Sequence, residues 1–474
     1  MLRRAQLSPL ERVVASVFSA TRAVRGDNSR VPENHATSYA PVATQDRLFT
    51  LDVLRGAALL GILLMNIVNF GLPSAAYQNP DLWGGNDAPN LAAFAIHWIF
   101  FQGKMRGLFS VMFGAGMVIF MERAAARDNS VRAADLYCRR MLWLMAFGIV
   151  HSWLIWSGDI LYSYALCGLL LFPLRNLSPK ALFITGGAAL LAWQVFISAN
   201  GFLLLSTRNA AVAARAEEAA GHTLTKEQQE ARKAWDETYN GFWPSKQKIE
   251  EEMNDYRGGY IKASRQRIKA VRPLVDMPAY LPLFGDIWGM MLIGMGLYKL
   301  GVLQGTRSRP FYLRMALIGY GIGVPLNAFT TYAMISSHYE IITIYMANMP
   351  HQLGRASVAL GHAAVLLLLA REIRWRWLTS PLAAVGQTAL SNYIATSIIC
   401  ALIFFTPGLG LIGQLQRYQL YFVVAGVWIF NLAWSPWWLR RYFFGPLEWC
   451  WRSLTYWRRQ PMRRSAAVQV VATS

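Results

Sequence analysis

Long apolar runs separated by short polar segments dominate this sequence. The first run, Leu51 to Gly71, is long enough to cross a bilayer, which takes about 20 residues. Similar runs follow to the end of the chain, and we expect each to be a membrane-spanning helix. The predicted spans are 51–72, 107–122, 141–157, 160–175, 181–205, 278–302, 311–336, 344–370, 381–406 and 418–438. The pattern predicts an all-α, polytopic transmembrane helix bundle with about ten spans.

Polar segments divide the chain into five parts. They are a basic tail at 1–46, a transmembrane half at 47–205, a polar insert at 206–275, a second transmembrane half at 276–459 and a tail at 460–474. The insert is rich in Glu, Lys, Arg and Gln at helical spacing, so we expect helices there. The N-terminal tail is either disordered or a basic amphipathic helix on the membrane surface.

Composition and charge agree with a membrane protein. Of the 474 residues, 54% are hydrophobic and 15% are charged, whereas soluble proteins have about 25% charged residues. The net charge of +20 does not indicate a nucleic-acid partner, because the arginines lie between apolar runs. The four cysteines lack metal-ligand spacing, and no nucleotide-hydrolysis motif is present, so we expect no metal site.

The distribution of arginines predicts the topology. Cytoplasmic loops of membrane proteins are enriched in Lys and Arg. If the N-terminus is cytoplasmic, the arginine-rich short loops all fall inside, and the outer short loops hold almost only Arg417. Both termini are therefore expected in the cytoplasm and the 206–275 insert outside, in a multi-pass protein embedded in the lipid bilayer.

Polar residues of several predicted spans share one depth. Charged groups within a membrane are costly, so they need partners or a water-filled cavity. We expect one polar cavity in the outer half of the bilayer. Its candidate residues are Asn66, Asn69, Lys104, Arg106, His151, Asp159, Asp286, His351 and Arg355.

His151 and Asp159 are the candidate acid–base pair. A neutral imidazole can take a proton from a hydroxyl or amine, and a carboxylate can orient it. The alternative is structural, with His151 bonded to a carbonyl and Asp159 capping the fourth span. Asn66 is a candidate donor to an oxyanion, or an interhelical hydrogen-bonding residue.

Five further residues of the outer half are candidate substrate-binding groups, together with Asn69. Lys104 and Arg106 would bind an anionic acceptor or lipid head group, or else snorkel to the outer interface. The other three are Asp286, His351 and Arg355.

Asp52 and Arg55 lie at the inner end of the first span. They either pair with each other one turn apart or bind the phosphates of a cytoplasmic donor such as acyl-CoA. In the second span, Gly114 and Gly116 are typical of close helix packing.

Six stretches, in this order, resemble the YeiB family of bacterial inner-membrane proteins, known as domain of unknown function 418. They are LDVLRGAALLGILLMN, GLFSVMFGAG, GIVHSWLIWSGDIL, GMMLIGMGLYKLG, VGQTALSNY and GPLEWCWRSLTYW. The resemblance covers about Arg47 to Arg459. It implies the architecture and a bacterial inner-membrane location, and it implies no specific reaction.

The first span is also similar to that of transmembrane acyltransferases such as heparan-α-glucosaminide N-acetyltransferase. The shared pattern is Asp52, Arg55 and Gly56, with Asn66 further along. This resemblance implies acyl transfer from cytosolic acetyl-CoA or another acyl-CoA, with Asn66 assisting. The histidine that these enzymes carry in the following loop has no counterpart, since no histidine lies between Gly71 and Asn90.

The expected function is acyl transfer to an extracytoplasmic glycan, lipid or small metabolite. The alternative is a small-molecule transporter that uses the same buried polar residues; a scaffold whose insert binds a partner is a third possibility. Transporters often contain broken helices. The predicted spans are interrupted only by Pro325 and Pro350, which favours the enzyme. The sequence leaves the oligomeric state open.

The topology is tested by labelling single cysteines in a variant whose four native cysteines are replaced. We expect an impermeant maleimide to label Glu230→Cys in intact cells, because the insert is outside. Asp128→Cys, in an arginine-rich loop, should be labelled only after lysis. The reverse result would invert the topology.

Overall fold

The computed structural model describes residues 48–125, 130–275 and 281–464. The predicted N-terminal tail at 1–46 and residues 465–474 of the predicted C-terminal tail lie outside these ranges. Within them the chain is helical, and the only β-type pairing is an isolated bridge between Tyr442 and Arg463. The helices are α1 Phe49–Gly71, α2 Ala88–Ile96, α3 Lys104–Ala125, α4 Ser130–Leu154, α5 Leu161–Leu171, α6 Pro179–Ala219, α7 Lys226–Phe242, α8 Lys246–Arg257, α9 Tyr260–Val275, α10 Leu281–Lys299, α11 Arg309–Ser336, α12 Ile341–Ala347, α13 His351–Arg371, α14 Arg376–Gln387, α15 Ala389–Phe404, α16 Leu420–Leu439 and α17 Pro446–Tyr456.

Every predicted span coincides with a helix or a pair of helices, so the expected all-α membrane bundle is confirmed. In the described ranges, five helical segments are long and apolar enough to cross a membrane, or six if the bent pair α14–α15 is one span. The five are α1, the stretch 88–124 that includes α2 and α3, α6, α13 and α16. That the remaining helices also cross the membrane stays a prediction.

The two predicted spans at 344–370 and 381–406 are not continuous. The first divides into α12 and α13 at residues 348–350, because Pro350 disfavours helical backbone at the residue before it. The second bends by 88° between α14 and α15. Thr388 lies at this bend, directly after the last residue of α14. Its hydroxyl donates a hydrogen bond to the Ala384 carbonyl of α14, and its own carbonyl accepts one from the Asn392 N–H of α15.

Helix α1 is the centre of the bundle. In the most apolar 18 residues of α1, 78% of the residues are buried, whereas in those of α6 only 11% are buried. Helix α6 therefore lies at the periphery. Glycines permit the closest approach to α1. A Cβ at Gly56 would overlap the Leu382 carbonyl of α14, and one at Gly386 would overlap the Asp52 carbonyl of α1. The backbones of α1 and α14 are thus in direct contact.

The polar insert packs against the loops at one end of the bundle. The Glu252 carboxylate of α8 accepts hydrogen bonds from both the backbone and the hydroxyl of Ser74, each 3.0 Å long. The Tyr256 ring stacks on Phe405 with centroids 4.6 Å apart. Burial raises the pKa of Glu252, and the two bonds from Ser74 oppose that shift. The insert therefore covers this end of the membrane-spanning helices.

Arg417, the arginine that departs from the charge pattern, joins two loops at the same end. It is fully buried, its backbone N–H bonds to the Gly84 carbonyl at 2.8 Å, and its side chain bonds to the Ala76 carbonyl. Burial lowers the pKa of Arg417 to about 10, although nearby tyrosines oppose this shift. Arg417 therefore has a structural role, because it bonds to backbone carbonyls of a neighbouring loop. Its presence in a predicted outer loop does not contradict the predicted topology.

The arginine-rich loops meet at the opposite end. The Lys299 ammonium bonds to the Leu177 carbonyl at 2.7 Å, and the Trp451 indole bonds to the Arg140 carbonyl at 2.8 Å. The Arg140 guanidinium also lies over the Trp451 ring, 3.7 Å from its centroid. All predicted inner loops thus share one end and all predicted outer loops the other. Which end faces the cytoplasm stays a prediction.

Close packing is confirmed for Gly114 and wrong for Gly116. A Cβ at Gly114 would overlap the Met291 carbonyl of α10, whereas one at Gly116 would meet nothing within 4 Å. We expect Gly114→Ala to destabilise the protein by about 1–3 kcal/mol, because backbone cannot move aside easily. Gly116→Ala should be neutral or stabilising by up to about 1 kcal/mol.

Both variants are compared with the wild type by thermal unfolding in the same detergent. Equal unfolding temperatures for the two variants would contradict the close contact between α3 and α10.

Candidate functional site

His151 and Asp159 form a buried pair between the end of α4 and the start of α5. The distance between His151 Nδ1 and Asp159 Oδ2 is 2.7 Å, and the two side chains are 1% and 3% exposed. The other carboxylate oxygen accepts the Tyr162 N–H at 2.9 Å, so Asp159 also caps α5. The predicted pair and the predicted cap therefore coexist. A Cβ at Gly148 would collide with this turn, which explains a glycine there.

The pairing determines which nitrogen of His151 is available. A carboxylate accepts hydrogen bonds, so in the neutral imidazole the proton is on Nδ1 and the lone pair is on Nε2. In the part of the chain that the structure describes, Nε2 is buried and has no hydrogen-bond partner. An imidazole held in this state can accept a proton from a ligand.

Tyr393 of α15 closes one side of the pair. Its ring centroid is 5.0 Å from that of His151, and its hydroxyl contacts the Asp159 carboxylate and accepts the Ile160 N–H at 3.3 Å. Trp156 lies on another side of His151, with ring centroids 6.4 Å apart, and stacks on Phe70 of α1. The imidazole is therefore held by residues of three separate segments.

Asn66 lines a small cavity next to this pair. The cavity has a free volume of about 10 Å³, which holds roughly one water molecule, and Tyr393, Thr396 and Ser397 contribute its polar lining. Tyr393 both lines this cavity and packs beside His151, which is not one of the lining residues. The cavity is too small for an acyl group, so a substrate would have to displace lining side chains. Asn69 is exposed and does not line this cavity.

A second buried group joins three of the predicted binding residues. Asp286 of α10 pairs with Arg106 of α3 at 2.8 Å and with Arg355 of α13. The Arg355 guanidinium also bonds to Gln352 Oε1 at 2.6 Å. We call Arg106, Asp286 and Arg355 the arginine cluster. The common depth read from the sequence brought these three residues together correctly.

Lys104 and His351 lie beside the arginine cluster. Lys104 is fully buried and its ammonium donates to the Trp98 carbonyl at 2.7 Å, so its predicted snorkelling to the interface is wrong. The cause is a turn of π-helix at His97–Phe101, which places the Trp98 carbonyl within reach. His351 begins α13, and within the described ranges its Nδ1 is buried without a hydrogen-bond partner.

Tyr164 connects the two buried groups. Its hydroxyl bonds to the Arg106 carbonyl at 2.9 Å and to Ser110 Oγ at 2.7 Å. Its backbone N–H, in the first turn of α5, bonds at 2.9 Å to the carbonyl of Ile160, the residue that follows Asp159. The first turn of α5 therefore joins the acid–base pair to the arginine cluster, and we call the two groups together the polar layer.

The predicted donor-binding residues lie apart from this layer. Asp52 and Arg55 form an ion pair with a distance of 3.0 Å at the arginine-rich end of α1, and the Arg55 side chain is 29% exposed. Their pairing with each other is confirmed. Arg140 lies over the ring of Trp451 at this end, and Arg452 follows Trp451 in the chain. Two further arginines thus lie at the same end as Arg55.

Sequence reasoning missed Tyr393 and Tyr164 as parts of the site. Tyr393 follows Ser391 and Asn392, residues typical of helix packing in membranes, and the stretch containing Tyr164 is mostly apolar. A tyrosine in a transmembrane helix that needs a hydroxyl partner was the available signal. The sequence also gave no sign that Gly103 adopts φ +72° and leaves room for Arg355.

Comparison with known proteins identifies the family. Residues 297–458 match the family described as "Protein of unknown function (DUF418)". The chain is 32% identical to "Uncharacterized protein YeiB" of Escherichia coli strain K12 over 418 residues, or 86% of this chain and 96% of that protein. The chain belongs to the YeiB family. Another relative, "Uncharacterized protein YxaH" of Bacillus subtilis strain 168, is 30% identical over 91% of this chain and 100% of its own length.

The YeiB-family stretches contact one another in the fold. Glu448 of GPLEWCWRSLTYW accepts hydrogen bonds from the Leu390 and Ser391 backbones of VGQTALSNY, at 2.5 and 3.1 Å. The stretch VGQTALSNY also supplies Gly386 and Tyr393. Gly386 contacts Asp52 in the stretch LDVLRGAALLGILLMN, and Tyr393 contacts Asp159. The stretches that resemble the YeiB family therefore build the bend of α14–α15 and the acid–base pair.

The double role of Asp159 is tested by two substitutions. Asp159→Ala removes the cap and leaves His151 Nδ1 without its partner, which should cost about 1–3 kcal/mol. Asp159→Asn keeps an oxygen for the Tyr162 N–H, so most stability should remain. Asp135→Ala, whose side chain is 49% exposed and pairs with Arg139, is the control and should cost under about 1 kcal/mol.

Unfolding temperatures in detergent measure all three variants. If Asp159→Ala and Asp135→Ala are equally stable, the buried pair contributes nothing and the assignment is wrong.

Proposed function

We propose that this YeiB-family protein transfers an acyl group from a cytoplasmic acyl-CoA to an acceptor that arrives from the insert side. The observation that carries the proposal is the buried His151–Asp159 pair, whose Nε2 has no hydrogen-bond partner among the described residues. Tyr393 packs beside His151 and also lines the cavity that contains Asn66. A free basic nitrogen, an orienting carboxylate and a nearby amide are the parts that acyl transfer requires.

In the proposed reaction His151 acts as general base. Its Nε2 takes the proton from the acceptor hydroxyl or amine while the acceptor attacks the thioester carbonyl. The resulting oxyanion accepts a hydrogen bond from the Asn66 amide. The carbon–sulfur bond then breaks, and the imidazolium returns its proton to the leaving CoA thiolate. The products are the acylated acceptor and free CoA, and Asp159 stabilises the imidazolium between the two steps.

The position of Arg55 supports entry of the donor from the arginine-rich end. Positions 55 and 66 of α1 are about 16 Å apart at 1.5 Å per residue. With its phosphates near Arg55, a donor would need an extended arm of that length to bring its thioester to Asn66. The pantetheine arm of CoA is extended and narrow, as a path between packed helices requires.

The cellular location is part of the proposal. The arginine-rich end would face the cytoplasm and the insert the outside, with both termini in the cytoplasm. The relatives named above are bacterial, which supports the inner, or cytoplasmic, membrane of a bacterium. An acceptor on the insert side would then be an envelope glycan, a lipid or a small metabolite.

Transport is the second candidate function, and one observation favours it. The 88° bend between α14 and α15 is a broken span of the kind found at transporter binding sites. The bend therefore removes the sequence-based argument against transport, which was that the predicted spans are mostly uninterrupted. A transporter would move a small molecule through the polar layer without releasing CoA.

Donor binding is tested with acetyl-CoA and palmitoyl-CoA by thermal shift of the purified protein. We expect Arg55→Ala to weaken CoA binding about tenfold or more, because hydrogen bonds between charged groups contribute about 1.5–3 kcal/mol. His151→Ala should leave binding nearly intact. Arg139→Ala is the matched control, since Arg139 also pairs with an aspartate one turn away.

Turnover is tested by following free CoA thiol with glucosamine or glycerol as acceptor. We expect His151→Ala to lower the rate about a hundredfold or more. The control is His362→Ala, because His362 is a half-buried histidine held by Tyr320 and the Phe100 carbonyl. No acyl-CoA binding by the wild type, or solute flux in proteoliposomes without CoA release, would overturn acyl transfer.

A further inference from the structure

The arginine cluster carries more positive than negative charge. Arginine stays protonated in proteins, so Arg106 and Arg355 contribute two positive charges. Of the described carboxylates, only Asp286 lies within 4 Å of either guanidinium. The side chains of Asp286 and Arg355 are 4% and 2% exposed and that of Arg106 is 37% exposed, so the excess charge is only partly open to solvent. A buried charge without a counter-ion is strongly destabilising.

Neighbouring groups do not offset the imbalance. Arg106 and Arg355 both donate to Oδ2 of Asp286, so the two guanidinium groups lie close enough to repel one another. The Lys104 ammonium has the Trp98 carbonyl as its hydrogen-bond acceptor, a neutral group. The surroundings of the cluster therefore favour an additional negative charge.

Several hydrogen-bonding atoms of the cluster are unused. The Nε atoms of Arg106 and Arg355 and the Nδ1 atom of His351 are buried, and the described residues supply no partner for them. Buried polar atoms in proteins nearly always have partners, so unused ones call for an explanation. A ligand with acceptor oxygens would provide these partners.

Access to the cluster is through Arg106. The Arg106 side chain is 37% exposed although its partner Asp286 is buried. Tyr77, in the loop on the insert side of the bundle, donates a hydrogen bond to Oε1 of Gln102, one helical turn before Arg106. At Gly103, a Cβ would overlap the Arg355 side chain, so the glycine leaves space for that guanidinium. The accessible part of the cluster is therefore Arg106, near the end that the insert covers.

The cluster lies next to the acid–base pair. The Tyr164 hydroxyl bonds to the Arg106 carbonyl, and the Tyr164 N–H bonds to the carbonyl of Ile160, the residue that follows Asp159. A molecule anchored at the arginines could therefore extend toward His151 along the same polar layer.

We propose that Arg106 and Arg355 bind one anionic oxo group, a carboxylate or a phosphate, of the molecule on which the protein acts. A guanidinium presents paired N–H donors that match the oxygens of either group. Asp286 holds both guanidinium groups in place and leaves one positive charge for the ligand. The role of this molecule as acyl acceptor rests on the proposed function, whereas anion binding itself does not.

Binding is measured without any acyl-CoA, by thermal shift in detergent with inorganic phosphate and with acetate, against chloride at equal ionic strength. We expect saturable stabilisation of the wild type by one of the two anions. Arg106→Gln should weaken that binding about tenfold, and Arg106→Lys should retain part of it. Arg139→Gln is the matched control, because Arg139 is also 37% exposed and pairs with one aspartate.

A lipid source is tested in nanodiscs of phosphatidylcholine with and without phosphatidylglycerol. Stabilisation by phosphatidylglycerol that Arg106→Gln abolishes would assign the oxo group to a lipid head group, whereas stabilisation by free phosphate or acetate would assign it to a soluble molecule. No saturable effect of any probe, or equal effects in Arg106→Gln and Arg139→Gln, would overturn the site. Anion binding without CoA release would leave the site standing and remove acyl transfer.

Discussion

The need to satisfy polar groups inside an apolar bundle governs this structure. A membrane interior offers no water to charged or hydrogen-bonding side chains, so each must find a partner on another helix. The His151–Asp159 pair and the contacts of Asp286 with two arginines are the main examples here. Because Asp286 pairs with residues of α3 and α13, it holds three helices in a defined arrangement.

Close helix contact at glycines makes these pairings possible. Gly56 and Gly386 bring the backbones of α1 and α14 together, and Gly114 brings α3 against α10. The bend after α14 then directs α15 so that Tyr393 reaches Asp159. Glu448 stabilises the bend by accepting the N–H groups at the start of α15. The family stretches are therefore linked through backbone contacts as much as through side chains.

The site combines features of an enzyme and of a carrier. A histidine with one nitrogen fixed by a carboxylate and the other free suits proton transfer. The broken span and the layer of charged residues suit passage of a polar molecule. An acyltransferase that takes its donor from one side and its acceptor from the other needs both kinds of feature, because its two substrates approach from opposite sides of the membrane.

The sequence by itself determined where the helices lie in the chain, which loops share each end of the bundle and the depth of the polar residues. Apolar run length and arginine position are local properties, so they can be read without contacts. His151 and Asp159 were predictable as a pair because a short turn separates them. The break between α12 and α13 follows locally from Pro350, whereas the bend of α14–α15, the burial of Lys104 and the approach of Tyr393 to Asp159 were decided only by the tertiary structure. These depend on which helix faces meet and how closely glycines let them approach, and residues as distant as Asp159 and Tyr393 carry no mutual signal along the chain.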